Sequence, residues 1–346
     1  MDENCSRERG FQMTIKEVAR LAGVSPAAVS RYLNGGPLSK EKRDRIAQAI
    51  EETGYRPNMM AKTMRTGRMR QVGIIIPRIF SESVHLLMDG IAEELLEKDY
   101  LTVLGYSDSS KDREMQYLEM MQSNRVAGII LMATTLSDIK KISLENCTVP
   151  LVITGQNYDG LSCVYHDDFN AMRELTELMI RKGSRKPVFI GVTKADKAAG
   201  EARFEGAREA LRREGFDPGG MPCRTADFSA ESGYAAMLEL LEEHPDLDGV
   251  LCATDIIAHG AMRALKEKGR RIPEDVRVAG VGNNWADLVS QPTLTTAMLY
   301  QRRCGSEAAK LLLGLIEREE EQDPGQKSKG PESIMLGYRI IERGSV

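Results

Sequence analysis

Residues 14–35 read Thr14-Ile-Lys-Glu-Val-Ala-Arg-Leu-Ala-Gly-Val-Ser-Pro-Ala-Ala-Val-Ser-Arg-Tyr-Leu-Asn-Gly35, and their punctuation decides how the fold begins. Thr14 is a hydroxyl N-cap with Glu17 three residues on, so each side chain can take a backbone N–H of the other. Ile15, Val18, Ala19 and Ala22 then recur at i, i+3, i+4 and i+7, the apolar stripe of a helix. Gly23 stops it, because the residue after a helix is commonly left-handed and glycine adopts that shape without strain. Ser25 starts a second helix as N-cap, with Pro26 at the first position, where a missing N–H costs nothing. Two short helices across a glycine turn make a helix-turn-helix. A third amphipathic segment, Lys40 to Thr53, offers Ile46, Ala49 and Ile50 to cover the pair.

The chain around this motif has 346 residues, enough for two or three folded units. Charge is divided unevenly. Residues 1–70 carry 14 Lys and Arg against 8 Asp and Glu, while the remainder holds a net −10. A basic head on an acidic body is the distribution expected when only the head meets a polyanion. Six cysteines (Cys5, Cys147, Cys163, Cys223, Cys252 and Cys304) are scattered without a CxxC, which points to reduced thiols and a cytoplasmic setting. The polar start MDENCSRERG is unlike a signal peptide, and no apolar run approaches the ~18 residues of a membrane span.

From Val72 onward, short apolar runs alternate with amphipathic helical stretches. VGIIIP (72–77), LTVLGY (101–106), GIILMA (128–133), PLVITG (150–155), PVFIGV (187–192), GVLCAT (249–254) and VRVAGVG (276–282) are the strand candidates. Helices are expected from Val84 to Lys98 and from Arg113 to Asn124 between the first of them. This alternation implies parallel sheets covered on both faces, an α/β class. The pattern pauses near Cys163–Asp168 and resumes, which suggests two similar lobes. Ligands of such sheets sit at the carboxyl ends of the strands.

TIKEVARLAGVSPAAVSRYLNG, followed by GYRPNMMAKTMRTGR and QVGIIIP, resembles the lactose/galactose repressor (LacI/GalR) family along the full length of the chain. The resemblance implies an all-α helix-turn-helix head at 12–56, a hinge helix and linker at 57–70, and an effector-binding body at 71–346. The body would be a two-lobed, periplasmic-binding-protein-like pair of doubly wound parallel sheets. Lobe one would hold about 71–165 and 298–329, and lobe two about 166–296 and 330–346, with crossings near 165, 297 and 330. In that family the second helix enters the major groove. By position, Pro26, Ala27, Ser30, Arg31 and Asn34 would then face bases, with Thr14 and Ser25 near phosphates. Arg31 can give a bidentate pair to guanine, whereas Pro26 and Ala27 can offer only apolar contact. In the hinge, Met64 matches the apolar wedge of the minor groove and Met60 the hinge-to-hinge contact, with Arg65 at phosphates. A segment of two turns is too short to be helical alone, and the resemblance implies that such hinges order on DNA.

Polar residues gathered at the strand ends supply effector candidates: Arg78 and Glu82 after the first strand, Gln156 after the fourth, and Asp168 at the crossover. Lys197, Arg203, Asp255 and Asn283 follow in the second lobe. A polyhydroxylated ligand needs such groups, since every buried hydroxyl wants a partner. Asp168 and Asp255 each have a plainer reading as helix caps. The resemblance marks Arg203 and Asp255 most strongly. The stretches YHDD, GVTKADK and LCATD and the glycine at 282 are similar to the trehalose-repressor branch, which reads a sugar phosphate through arginines. Gln156 departs from that branch where an arginine is expected, so a neutral sugar is as well supported as a sugar phosphate.

No HExxH, GxSxG or GxxxxGK[ST] occurs, and GVGNN lacks the third glycine of a dinucleotide fingerprint, so no catalytic residue, metal or cofactor is expected. His166 beside Asp167 and Asp168 is the most enzyme-like group, yet neighbours on a strand point to opposite faces. The expected function is a sequence-specific transcription repressor released from operator DNA by a sugar or sugar phosphate. The alternatives are a co-repressed regulator with a non-sugar ligand or a co-repressor protein, or a transport receptor or enzyme on the same fold. The C-terminal Ile340–Val346 carries no leucine heptad, so a homodimer is expected, each head reading one half-site.

Overall fold

The computed structural model describes residues 13–33, 36–55, 70–135, 144–321 and 330–346. Asn34, Met60, Met64 and Arg65, with the rest of the hinge segment through Met69, lie outside the described residues. The chain divides into two compact units, Met1–Met69 and Arg70–Val346.

The first unit is built as its caps dictate. Helix α1 (Ile15–Leu21) carries the full capping box: the Glu17 carboxylate accepts the Thr14 N–H at 2.7 Å and the Thr14 hydroxyl accepts the Glu17 N–H at 3.4 Å. Gly23 turns the chain at φ +61°, and α2 (Pro26–Leu33) begins beneath the Ser25 hydroxyl, which accepts from Ala28 N at 3.2 Å. Helix α3 (Lys40–Thr53) closes the bundle and ends at Gly54, φ +60°. Val18, Ala19, Val29, Ile46 and Ala49 form the small core, with Ile15 and Ile50 packed half-buried at its edge.

The second unit holds two six-stranded sheets. The first has strand order β11-β5-β4-β3-β1-β2, with every neighbour parallel. Its strands are β1 (Gln71–Ile76), β2 (Leu101–Tyr106), β3 (Gly128–Met132), β4 (Leu151–Thr154), β5 (Ser162–His166) and β11 (Ser333–Leu336). The second sheet runs β12-β10-β9-β8-β6-β7, parallel except for the antiparallel β12–β10 pair. It comprises β6 (Pro187–Gly191), β7 (Cys223–Thr225), β8 (Gly249–Cys252), β9 (Arg277–Gly282), β10 (Thr295–Leu299) and β12 (Tyr338–Ile341). The pause read at Cys163–Asp168 is in fact strand β5.

Helices α4 (Glu82–Glu97) and α11 (Gln301–Glu321) cover one face of the first sheet, and α5 (Lys111–Ser123) lies on the other. In the second lobe the helices are α6 (Asp168–Arg181), α7 (Arg203–Arg213), α8 (Ala230–Glu243), α9 (Asp255–Glu267) and the single turn α10 (Ala286–Val289). The chain passes between lobes after β5, after β10 and at Gly337, between β11 and β12. The expected third crossing at 330 is therefore corrected. Ser333–Leu336 pairs in parallel with Cys163–His166 and still belongs to lobe one. A four-residue strand of mixed exposure has too weak an alternation to be told from the acid-rich stretch before it.

Each lobe contains a helix crossing in which two backbones touch. A Cβ at Gly90 would sit 1.9 Å from the Arg302 carbonyl oxygen and one at Gly305 2.0 Å from that of Leu87, so α4 and α11 meet at glycines. Gly233 and Gly260 do the same for α8 and α9, at 2.4 and 2.0 Å from Ile257 and Ala230 oxygens. Gly305→Ala must push these helices apart and is expected to lose ~1–3 kcal/mol in urea unfolding. Gly314→Ala on the same helix, where a Cβ meets nothing within 4 Å, is expected to hold or gain stability by up to ~1 kcal/mol. Equal effects of the two substitutions would contradict the backbone contact.

Candidate functional site

A cavity of about 360 Å³ lies between the lobes, at the carboxyl ends of both sheets. Its floor is an ion pair. Arg203, the first residue of α7 and 8% exposed, sends Nε and Nη2 to Asp168 Oδ1, each at 2.7 Å, and Nη1 to the Ala253 carbonyl. Asp168 is 4% exposed at the start of α6. It is not the helix cap, since Asp167 fills that role by accepting Asn170 N at 3.2 Å. One guanidinium thus joins the ends of β8, α6 and α7.

Above the floor, three contacts link the lobes. Gln156, 3% exposed, gives its amide to the Ala133 carbonyl (3.2 Å), the Thr134 carbonyl and Asp196 Oδ1 (3.3 Å), and accepts from the Tyr158 hydroxyl at 3.0 Å. The Arg78 guanidinium lies over the Phe228 ring at 3.7 Å to its centroid, a cation–π contact. Glu82, opening α4, accepts the Trp285 N–H at 3.1 Å. Asp196 itself is 5% exposed and caps the π-helical turn Lys197–Ala202 through the Ala198 and Ala199 N–H groups. Burial raises its pKa above the ordinary carboxylate value, and burial lowers that of Arg78 while Asp196 partly offsets it. Burial pushes the His166 pKa below the ordinary imidazole value, which favours the neutral ring; the ring is bonded to the Tyr300 carbonyl, and among the described residues its Nε2 has no partner.

The expected effector set is therefore divided. Arg78, Glu82, Gln156, Asp168 and Arg203 line one cavity. Lys197, Asp255 and Asn283 do not. Lys197 faces outward in an exposed pair with Glu201 at 2.8 Å. Asp255 is wholly buried beneath β9, accepting from Thr296 Oγ1 at 2.7 Å and from Asn283 N. Burial and the nearby Asp287 push its pKa well up. It is also not a cap, since Thr254 takes the Ile257 N–H. Asn283 sits at φ +66° with its side-chain oxygen turned to Arg343. Thr254, one residue before Asp255, lines the cavity instead. Asp196, His166, Phe228 and Trp285 were not singled out as effector contacts. Asp196 sits beside the more conspicuous Lys197, and Phe228 follows no strand end that the alternation marks.

In the first unit Thr14, Ser25, Pro26, Ala27 and Arg31 are exposed and Ser30 half-exposed, so one side of α2 is open to a partner. A short helix-turn-helix unit followed by a two-lobed, cleft-bearing α/β unit defines a ligand-responsive DNA-binding regulator. Comparison with known proteins agrees. Residues 14–58 match the bacterial regulatory proteins of the lacI family, and residues 176–346 match a periplasmic binding protein-like domain. The chain is 31% identical over 335 residues to the HTH-type transcriptional regulator RegA of Clostridium saccharobutylicum, covering 96% of this chain and 98% of that protein. It is 30% identical over 305 residues to the sucrose operon repressor of Staphylococcus xylosus, covering 88% and 94%. Among solved structures, the transcriptional regulator CelR–cellobiose complex aligns with a TM-score of 0.74 at 28% identity, over 96% of this chain and 100% of that one. The chain belongs to the lacI family of bacterial regulatory proteins.

Two outcomes follow from the buried charges. Asp168→Ala leaves Arg203 buried without its carboxylate and is expected to destabilise the second unit by ~3–5 kcal/mol, read by denaturant unfolding. For Asp196 the sign runs the other way. A carboxyl whose folded pKa is raised gives up stability as pH climbs from the unfolded value, near 3.8, through the raised one. Asp196→Asn, which cannot ionise, should therefore gain stability relative to wild type between pH 4 and pH 8. A difference that is flat or falls across that range contradicts the assignment.

Proposed function

We propose that this protein is a transcription repressor whose helix-turn-helix binds operator DNA as a homodimer and is released when a sugar occupies the cleft. The observation that carries the reading is the capped α1–Gly23–α2 turn with the outer side of α2 exposed, in a chain that also holds a polar, aromatic-lined cleft. Relatives named as sugar-operon repressors and a CelR structure with cellobiose support the sugar as effector class. Because members of the family are transcriptional regulators, we take the cleft to be a sensor and not an active site. Operator binding in turn implies the cytoplasm. No described helix is long and apolar enough to cross a membrane.

Within this reading Pro26, Ala27, Ser30, Arg31 and Asn34 meet base edges and Thr14 and Ser25 meet phosphates. Met60, Met64 and Arg65 act in the minor groove beside them. In the cleft, Arg78, Glu82, Gln156, Asp168 and Arg203 hold the effector, joined by Asp196, His166 and Trp285. Lys197, Asp255 and Asn283 act through the loops that they brace. A sugar seated between Asp168 and Trp285 favours one lobe arrangement over the other, which is what a ligand needs to shift an equilibrium.

Arg31→Ala is expected to lose ~1–3 kcal/mol on an operator selected from random sequence and little on nonspecific DNA, both titrated at one salt concentration. Equal losses on the two DNAs would show that Arg31 contacts only the backbone. Trp285→Ala is expected to leave operator affinity intact without sugar and to raise the releasing sugar concentration by about tenfold or more, ~1.4 kcal/mol. An unchanged releasing concentration would remove Trp285 from the effector site.

A further inference from the structure

Resting on the sugar reading of the cleft, we propose that the cavity admits an uncharged saccharide and rejects its phosphorylated form, with Asp196 and Gln156 setting that choice. The strongest donors of the site are already drawn toward the protein's own groups. All three nitrogens of Arg203 are engaged, two by Asp168 and one by the Ala253 carbonyl. The Gln156 amide is shared among two carbonyls and Asp196, and Arg78 presents its face to Phe228.

The buried floor of the described lining also leaves acceptor capacity open. The hydrogen bonds to Asp168 and Asp196 converge on Oδ1 of each, so both Oδ2 atoms can take a further donor. The bare Nε2 of neutral His166 is a third acceptor, in a side chain 5% exposed. A sugar hydroxyl satisfies an acceptor by donating its proton. A phosphate monoester brings roughly −1.5 to −2 charges at pH 7 and three oxygens that only accept.

The charge balance points the same way. Among the described lining residues, Arg78 and Arg203 stand against Glu82, Asp168 and Asp196, and His259 is held by Asp287 at 2.8 Å. A dianion would meet a site with no cation in excess and three carboxylates beside it, a like-charge juxtaposition that works against the wrong partner. The aromatic rings fit the uncharged ligand. Phe228 lines the cavity, and Trp285 and Phe80, 69% and 100% exposed, stand on its lining as flat apolar surfaces for the C–H faces of a pyranose.

Trp285 is the chain's single tryptophan, so its fluorescence reports the cleft directly. The test titrates the full-length protein with glucose, cellobiose, maltose, sucrose and trehalose, with the 6-phosphates of glucose, sucrose and trehalose, and with inorganic phosphate. The same titrations are run on Asp196→Asn and on Asp196→Asn/Gln156→Arg. Asparagine keeps the capping oxygen, so the turn at 197 is retained in both variants. Wild type is expected to bind a neutral sugar of the panel and to bind no 6-phosphate more tightly than its parent. Phosphorylated probes should gain about tenfold or more in affinity for the double variant, with Asp196→Asn between. A 6-phosphate that binds wild type more tightly than its parent sugar overturns the proposal. If no sugar of either kind binds, the sugar reading itself fails, and inorganic phosphate then decides the charge selection. A response of the double variant but not of wild type supports it, and any other pattern overturns it.

Discussion

The second unit depends on the buried pair of Arg203 and Asp168. Removing two charges from water costs several kcal/mol per ion, recovered only when geometry is good and the remaining donors are satisfied. Here the fork is engaged on every nitrogen, with two bonds to one carboxylate oxygen and a third to the Ala253 carbonyl. The helices behind the pair cannot yield, because a Cβ at Gly206 of α7 would lie 2.1 Å from the Phe169 carbonyl oxygen of α6. The carboxylate is thereby fixed at the floor of the cleft. The requirement for an arginine, a small α7 residue and an acid one position past the α6 cap is one requirement seen at three sites.

A second layer of buried acids lies outside the cavity lining. Asp255 takes the Asn283 N–H and the Thr296 hydroxyl, and its carboxylate fills the space that side chains at 280 and 282 would need. Asp287 holds the Asn284 N–H at 2.7 Å and His259. Between them these acids set the course of the 282–287 loop, and the loop presents Trp285 to Glu82 of the other lobe. Charges that look like ligand contacts in the sequence therefore place an aromatic side chain on the cavity lining. Hydrogen bonds to Gln156 and Glu82 and the Arg78–Phe228 stack are the contacts that span the cleft.

Much of this was legible beforehand. Capping residues state their geometry locally, so Thr14, Glu17, Gly23, Ser25 and Pro26 gave the first unit almost residue by residue. Apolar β-branched runs gave most of the strands of both sheets. The losses were β5, β7, β10, β11 and β12, strands of three to five residues that carry little alternation, with β5 and β11 recognised only by pairing with each other. In the cleft, Arg78 and Gln156, just after β1 and β4, line the cavity, whereas Asn283, just after β9, does not. Asp255 was misread because position after a strand does not tell whether a carboxylate turns toward the cavity or under the sheet. Asp196 was missed because its value comes from contacts with Gln156 across the cleft, forty residues away in sequence.

The central claim is that the cleft and the helix-turn-helix are thermodynamically linked, and linkage is reciprocal. The direct measurement is the operator dissociation constant with and without saturating sugar, set against the sugar dissociation constant with and without saturating operator. The second is read from Trp285 fluorescence. The account predicts that sugar weakens operator binding and that operator weakens sugar binding by the same factor, about 5–150-fold for a coupling of ~1–3 kcal/mol. A sugar that fills the cleft while leaving the operator constant unchanged would contradict it.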